Sequence, residues 1–348
     1  GYWHGLFGGI YLFHIRVANY AHLIAAEELA DRALTGTETW SRVERGDLDA
    51  DTEEEIILNT DRQVLTFKPS YGGALVEWDW RDRRYNLLNA MTRRREGYHD
   101  VLRRAAEQGR LYLPGEVEIP KGVKVKERDV HTRLFYDWHR RAALLDHFLH
   151  DDTTPEAFYQ AHYGEQGDFV DQPYEAEVQQ GDGEATLTLT RDGTVWAGEV
   201  PLPVRVEKQI SVEAGSSELS IHYRVLNLSD IPADLRLGIG FNWGIVGGDS
   251  PHGYLKTNSH RRSLSNFDGD DEVTSLSVGS TLPDLGGEVR IVPDRPTSLW
   301  HFPVEAVSNS EAGYERVYQG TCTLLWWAMH LEPRRPWEMD LTLALLDA

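Results

Sequence analysis

The sequence predicts a mainly β fold, a large antiparallel sandwich of two stacked sheets, and three observations carry that expectation. From Ile56 onward the apolar pattern has a period of two, as in ATLTLTR, VRVEKQISVEA, SELSIHYRVLN and EMDLTLALLD. Turn-forming residues separate these stretches at Tyr71-Gly72-Gly73, Arg191-Asp192-Gly193, Ala214-Gly215-Ser216 and Gly247-Gly248, which suits antiparallel strands joined by loops. No strand-helix-strand rhythm occurs, which argues against a parallel sheet.

The first element is helical. Residues 10–34 carry Tyr11, Ile15, Ala18, Ala21 and Ala25 at spacings of three and four, one apolar or small face of a helix. Gly36 follows as a residue suited to the left-handed position that ends a helix. The stretch after it contains DLDADTEEE and few apolar residues, so it reads as a solvated connection. The expected organisation is a helical segment over 1–40, an acidic linker over 41–55 and a β domain over 56–348. Two helical interruptions are expected in the β region. One spans Val130 to Leu149, with apolar residues at Leu134, Phe135, Trp138, Leu145 and Phe148; the other is short and follows Thr154-Pro155.

Composition narrows the function classes. The 348 residues hold 35 basic against 56 acidic side chains, a formal charge of −21, which repels polyanions and excludes a nucleic-acid partner. Only six of the basic residues are lysines, and such an acidic, lysine-poor surface suits high salt, where counterions screen self-repulsion. No apolar run is long enough to span a membrane and no signal-peptide pattern is readable. A single cysteine, Cys322, cannot form an intramolecular disulfide, so a cytoplasmic location is expected. No cofactor and no metal site is expected. His131, His139, His147 and His150 recur without an H-x-x-x-H pattern or a cysteine set.

Candidate ligand contacts come from aromatic residues beside polar ones. Tyr2-Trp3-His4-Gly5-Leu6-Phe7-Gly8-Gly9 sets aromatics and a histidine among glycines just before the helix. Glycines permit close backbone approach, and aromatic faces beside hydrogen-bonding groups suit sugar rings; an aromatic turn packed under a helix is the alternative. Trp326 and Trp327 are neighbours on one strand and therefore on opposite faces, so one is a candidate sugar platform while the other enters the core; both being buried is the alternative. Glu77 and Asp79 lie two apart, on one face of a strand, as an acid/base pair would and as a solvated acidic face also would.

Three blocks resemble a known family. YWHGLFGGIYL before H-x-R and an alanine-rich helix, then Gly72 to Asp79 with Asn86-Leu87-Leu88-Asn89 and Arg93 to His99, then Arg140 to Leu149, are similar in order to conserved stretches of glycoside hydrolase family 57, in its 4-α-glucanotransferase and α-amylase branch. The resemblance implies a galactose-mutarotase-like β-supersandwich and an α-1,4-glucan or maltooligosaccharide ligand. It also implies a partner, a catalytic β/α barrel in the same or a separate chain. The family's nucleophile glutamate and acid/base aspartate lie on stretches this sequence does not contain, so no catalytic residue is assigned. Retaining glycosidases need both carboxyl groups. By carry-over, Trp3 stacks on glucan and His4 hydrogen-bonds sugar hydroxyls, with Tyr2 beside them. The expected function is the C-terminal part of a retaining α-glucan-processing enzyme, completing its substrate cleft and supporting its barrel without activity of its own. The alternatives are a free-standing carbohydrate-binding or assembly module and, less directly, an aldose-1-epimerase.

Overall fold

The computed structural model describes residues 11–198, 200–248, 250–258 and 260–348. The expectations on Tyr2, Trp3 and His4 lie outside the described residues.

Helix α1, Phe13–Thr35, ends as expected at Gly36, whose φ of 65° lets its amide reach Arg32 O. Its packing departs from the expected apolar face: Ala18 is exposed, and the buried residues are Arg16, Ile24 and Asp31. Arg16 donates to Asn89 Oδ1 at 2.9 Å and to Gln319 Oε1 at 2.8 Å. The Asp31 carboxylate accepts from Arg42, Arg81 and Asn59 Nδ2. A charged stripe is tolerable at this interface because the sandwich supplies its partners. Leu23, Leu29 and Leu34 are 65%, 71% and 78% exposed.

The strands form a five-stranded antiparallel meander (Ser41–Gly46, Glu55–Thr60, Gln63–Lys68, Ala74–Trp80, Tyr85–Asn86), a nine-stranded sheet, a second five-stranded sheet and a two-stranded parallel ribbon. The nine-stranded sheet runs, edge to edge, from Arg261–Ser263 to Glu175–Gln180. The second five-stranded sheet orders Asp268–Val273, Thr297–Ser310, Gly313–Leu331, Ala233–Trp243 and Leu145–Phe148. One hydrophobic core joins all three large sheets: Leu65 and Trp78 of the meander meet Leu189, Ile221 and Leu343 of the nine-stranded sheet and Ile239, Trp243 and Leu325 of the other. The antiparallel strands follow the alternation, while the two stacked sheets expected from it are three large sheets around one core, the supersandwich that the family resemblance implies.

Local departures have physical causes. Residues 41–46, placed in the acidic connection, pair with 55–60 as an edge strand, and the acids beyond them gather on Lys68, whose Nζ lies 2.8 Å from Asp49, 2.6 Å from Asp51 and 2.7 Å from Glu55. The long helix expected over Val130 to Leu149 is instead a 3₁₀ turn at Val130–Arg133, a loop, and the strand Leu145–Phe148 paired with Ala233–Trp243. Every residue from Arg141 to Leu149 is buried, so that stretch has no solvent face and its apolar spacing carries no period. Arg191-Asp192-Gly193 is not a turn but lies inside the strand Glu184–Ala197. A Cβ at Gly193 would fall 2.3 Å from Asp168 Oδ1, so this glycine serves close approach. Helix α2, His99–Glu107, escaped the sequence reading, whereas α3, Pro155–Tyr159, follows Thr154 as expected, with the Thr154 hydroxyl accepting from Ala157 N at 3.2 Å.

Candidate functional site

The start of α1, the loop after the meander and the loop before Leu145–Phe148 enclose an open cleft of about 880 Å³. Tyr11, Tyr71, Met91, Arg94, Glu96, Trp138, His139 and Arg140 line it. Tyr11 stands one residue beyond the undescribed N-terminal stretch that holds Tyr2, Trp3 and His4. Its hydroxyl donates to Glu96 Oε1 at 2.5 Å, and burial followed by that carboxylate raises its pKa. The Tyr71 hydroxyl accepts from Arg140 N at 2.7 Å, fixing that ring. Trp138 presents its indole to the cleft with 43% of its surface exposed and its edge against His139, ring centroids 4.7 Å apart. An exposed, laterally supported indole between arginines and a carboxylate suits a polyhydroxyl ligand, which offers C–H faces to the ring and hydroxyls to the charges.

A buried ion network holds the cleft floor. Arg93 grips Asp137 from Nη2 at 2.6 Å and from its backbone N at 2.8 Å, and Arg141 Nη2 reaches the same carboxylate at 2.5 Å. Burial alone would raise the pKa of Asp137, but Arg141 and Arg93 hold it well below the usual carboxylate range. Arg141 also donates to Asn242 Oδ1, and Arg93 to Tyr159 O. Burial lowers His139 at the cleft wall and His147 next to it to about 3 and pushes Glu165 up to about 8, so all three are neutral near pH 7. Asp137 is locked between guanidiniums and Glu96 is engaged by Tyr11, so the cleft presents binding groups and no free pair of carboxyls among the described residues.

The other sequence candidates sit elsewhere. Glu77 and Asp79 do share a face, but they are enclosed beneath α1: Tyr20 hydrogen-bonds Glu77, and Asn86 Nδ2 lies 2.8 Å from Asp79 Oδ1. Burial raises both acids, with the Glu77 charge adding to the effect on Asp79. Trp326 and Trp327 point to opposite faces. Trp327 enters the core beside Trp337, at 6.2 Å between ring centroids, while Trp326 is half-buried against Trp300 at 5.7 Å; neither lines the cleft. Sequence reasoning passed over Trp138, Arg94 and Glu96 as ligand contacts, although the R-R-x-E and W-H-R-R clusters that contain them were visible. The acids Asp47, Asp49 and Glu55 come close enough to hold a cation, but Lys68 Nζ already neutralises Asp49 and Glu55.

Comparison with known proteins gives this geometry a family. The description "Alpha-amylase/4-alpha-glucanotransferase, C-terminal" matches residues 47–341, and the middle domain of the same family matches residues 1–30. The chain belongs to the α-amylase/4-α-glucanotransferase family. Alpha-amylase 1 of Dictyoglomus thermophilum is 29% identical over 339 residues, 97% of this chain and 46% of that protein. The 4-alpha-glucanotransferase of Thermococcus litoralis is 31% identical over 322 residues, 92% of this chain and 43% of that protein. The crystal structure of the Thermococcus litoralis 4-alpha-glucanotransferase superposes with a TM-score of 0.73 at 27% identity, covering 98% of this chain and 43% of that one. The chain thus spans less than half the length of these relatives, and the family's C-terminal description covers the sandwich except the edge strand Ser41–Gly46 and the end of the last strand.

Proposed function

We propose that the chain is the C-terminal part of a retaining α-glucan-processing enzyme of the glycoside hydrolase 57 type, forming one wall of the substrate cleft and seating the catalytic barrel. The carrying observation is helix α1, which gives Arg16 and Asp31 to the sandwich and leaves Leu23, Leu29 and Leu34 exposed. Exposed leucines on a helix that the family's middle domain matches are suited to burial against the remainder of such a domain. The cleft lined by Trp138 and Arg94 opens at the start of that same helix, so a glucan held by the barrel would meet it. The ligand class is α-1,4-glucan or maltooligosaccharide. The carboxylate pair is supplied by the catalytic part, and Trp3 stacks on the glucan with His4 hydrogen-bonding its hydroxyls and Tyr2 beside them.

The compartment is read as cytoplasmic from the single cysteine, and no helix among the described residues is long and apolar enough to cross a membrane. The test is reconstitution. The chain by itself is expected to leave maltoheptaose unchanged, and addition of a relative's N-terminal half is expected to restore hydrolysis or transfer. Turnover by the chain alone would overturn the reading. Failure of a folded N-terminal half to bind it would favour the free-standing carbohydrate-binding module instead.

A further inference from the structure

A second cavity, of about 170 Å³, lies at the seam where the far end of the strand Glu184–Ala197 meets the start of Ala233–Trp243 and the turn after Leu145–Phe148. None of the residues lining it lines the cleft at Trp138. Its prominent feature is Trp196, 44% exposed. Strand alternation sends Val195 into the core and turns Trp196 outward. The Trp196 backbone is pinned on both sides: its amide donates to Gln166 O at 2.8 Å, and its residue pairs with Pro201 across the hairpin. An indole left exposed on so fixed a backbone offers a ligand a flat apolar face.

The groups around the indole are of both hydrogen-bonding senses. Arg236 is held in place, its Nη2 donating to Asp151 O at 3.0 Å and its guanidinium lying 4.6 Å over the Trp326 ring. Asp234, whose carboxylate also meets His330 Nδ1 at 2.7 Å, and Asp151 lie beside it, with Gln166 and His150. A rim of both charge signs without a cationic excess disfavours an anionic ligand, and so polar a rim disfavours an apolar peptide. A neutral polyhydroxyl ring fits both: its hydroxyls donate to the carboxylates and accept from Arg236 and Gln166, while its C–H face covers the indole.

We infer that Trp196, with Asp234 and Arg236, forms a second α-glucan-binding site on the outer sandwich, separate from the cleft at Trp138, that anchors long glucan chains. The choice of α-glucan as the ligand rests on the proposed function, while the site's separateness rests on geometry alone. Trp326 lies under Arg236 and serves as its support.

Affinity electrophoresis of the protein through gels containing amylopectin tests the inference, with hydroxyethylcellulose gels as the control. Trp196→Ala is expected to weaken amylopectin retardation roughly tenfold, Asp234→Asn to weaken it less, and both to leave binding of maltotriose at the cleft unchanged. Asp234 is 88% exposed at its side chain, so its variant does not depend on folding. Retardation of both variants equal to wild type, with Trp138→Ala alone reducing it, would overturn the second site and leave the cleft reading intact. Equal retardation in both polysaccharides would overturn the α-glucan assignment. A wild-type protein that binds neither amylopectin nor maltotriose would overturn both the second site and the proposed function.

Discussion

His147 Nδ1 lies 2.9 Å from Glu165 Oε2, and burial shifts the two groups in opposite directions, the histidine down to about 3 and the glutamate up to about 8. Near neutral pH this is a pair of neutral groups sharing one proton on the carboxyl side, a reading that assigns Nδ1 as acceptor. The other carboxyl oxygen accepts from Phe148 N at 2.6 Å and Gly167 N at 3.1 Å, so the pair ties the strand Leu145–Phe148 to the loop that covers it. Neighbouring Asp146 and His147 therefore make two separate anchors. Asp146 faces the other way, to Lys208 at 2.8 Å and the Tyr174 hydroxyl at 2.6 Å.

A pH dependence follows from that pair. The folded Glu165 keeps its proton where the unfolded chain loses it, so its contribution to stability is complete below about pH 4.3 and is lost as pH rises through about 8. His139 and His147 act with the opposite sign: their contribution is complete above about pH 6.5 and is lost as pH falls toward 3. Glu165→Gln keeps an acceptor for Phe148 N and removes the titration. Between pH 5 and 8 the wild type should lose about 1.4 kcal/mol per pH unit relative to this variant, read by urea unfolding at each pH. Parallel profiles would contradict the buried acid.

The cleft floor predicts a large stability effect. Asp137 is the shared partner of Arg93 and Arg141, all three buried. Asp137→Ala leaves two guanidiniums without their counter-charge and should cost about 3–5 kcal/mol, measured as a shift in the urea midpoint. A loss below 1 kcal/mol would mean that water reaches the site.

Trp138 predicts the reverse pattern. Its exposure means that Trp138→Ala should change stability by no more than about 0.5 kcal/mol, while maltoheptaose binding at the cleft falls about tenfold. Calorimetry on both proteins separates the two effects, and undiminished binding would remove Trp138 from the ligand surface.

Helix α1 predicts a contrast between its two sides. Asp31→Ala should destabilise the sandwich by about 3 kcal/mol, because buried Arg81 loses a carboxylate partner. Leu29→Glu should leave the sandwich unchanged and abolish assembly with the catalytic half in the reconstitution assay. Normal assembly of Leu29→Glu would show that this side of the helix is not the seat.

How much of this was legible follows from which signals are local. The alternation in ATLTLTR and SELSIHYRVLN became the strands Glu184–Ala197 and Glu218–Asn227 because each has one face in the shared core. Gly36 and Thr154-Pro155 marked helix ends correctly because capping is settled within one turn of backbone. The Arg141 to Leu149 stretch failed as a helix because burial on all sides erases periodicity, and its backbone partners lie about 90 residues onward, on Ala233–Trp243.

The sequence by itself determined the β class, the family resemblance and the acidic surface, all of which are fixed by composition, spacing and residue order. Only the tertiary structure decided which side of α1 meets the sandwich, that Trp138 and not Trp326 lines the cleft, and that Glu77 and Asp79 are sealed beneath a helix. The reason is that exposure and charge partnership depend on residues far apart in the chain. Gln319 receives Arg16 across 303 positions, and no local pattern in either segment records that meeting.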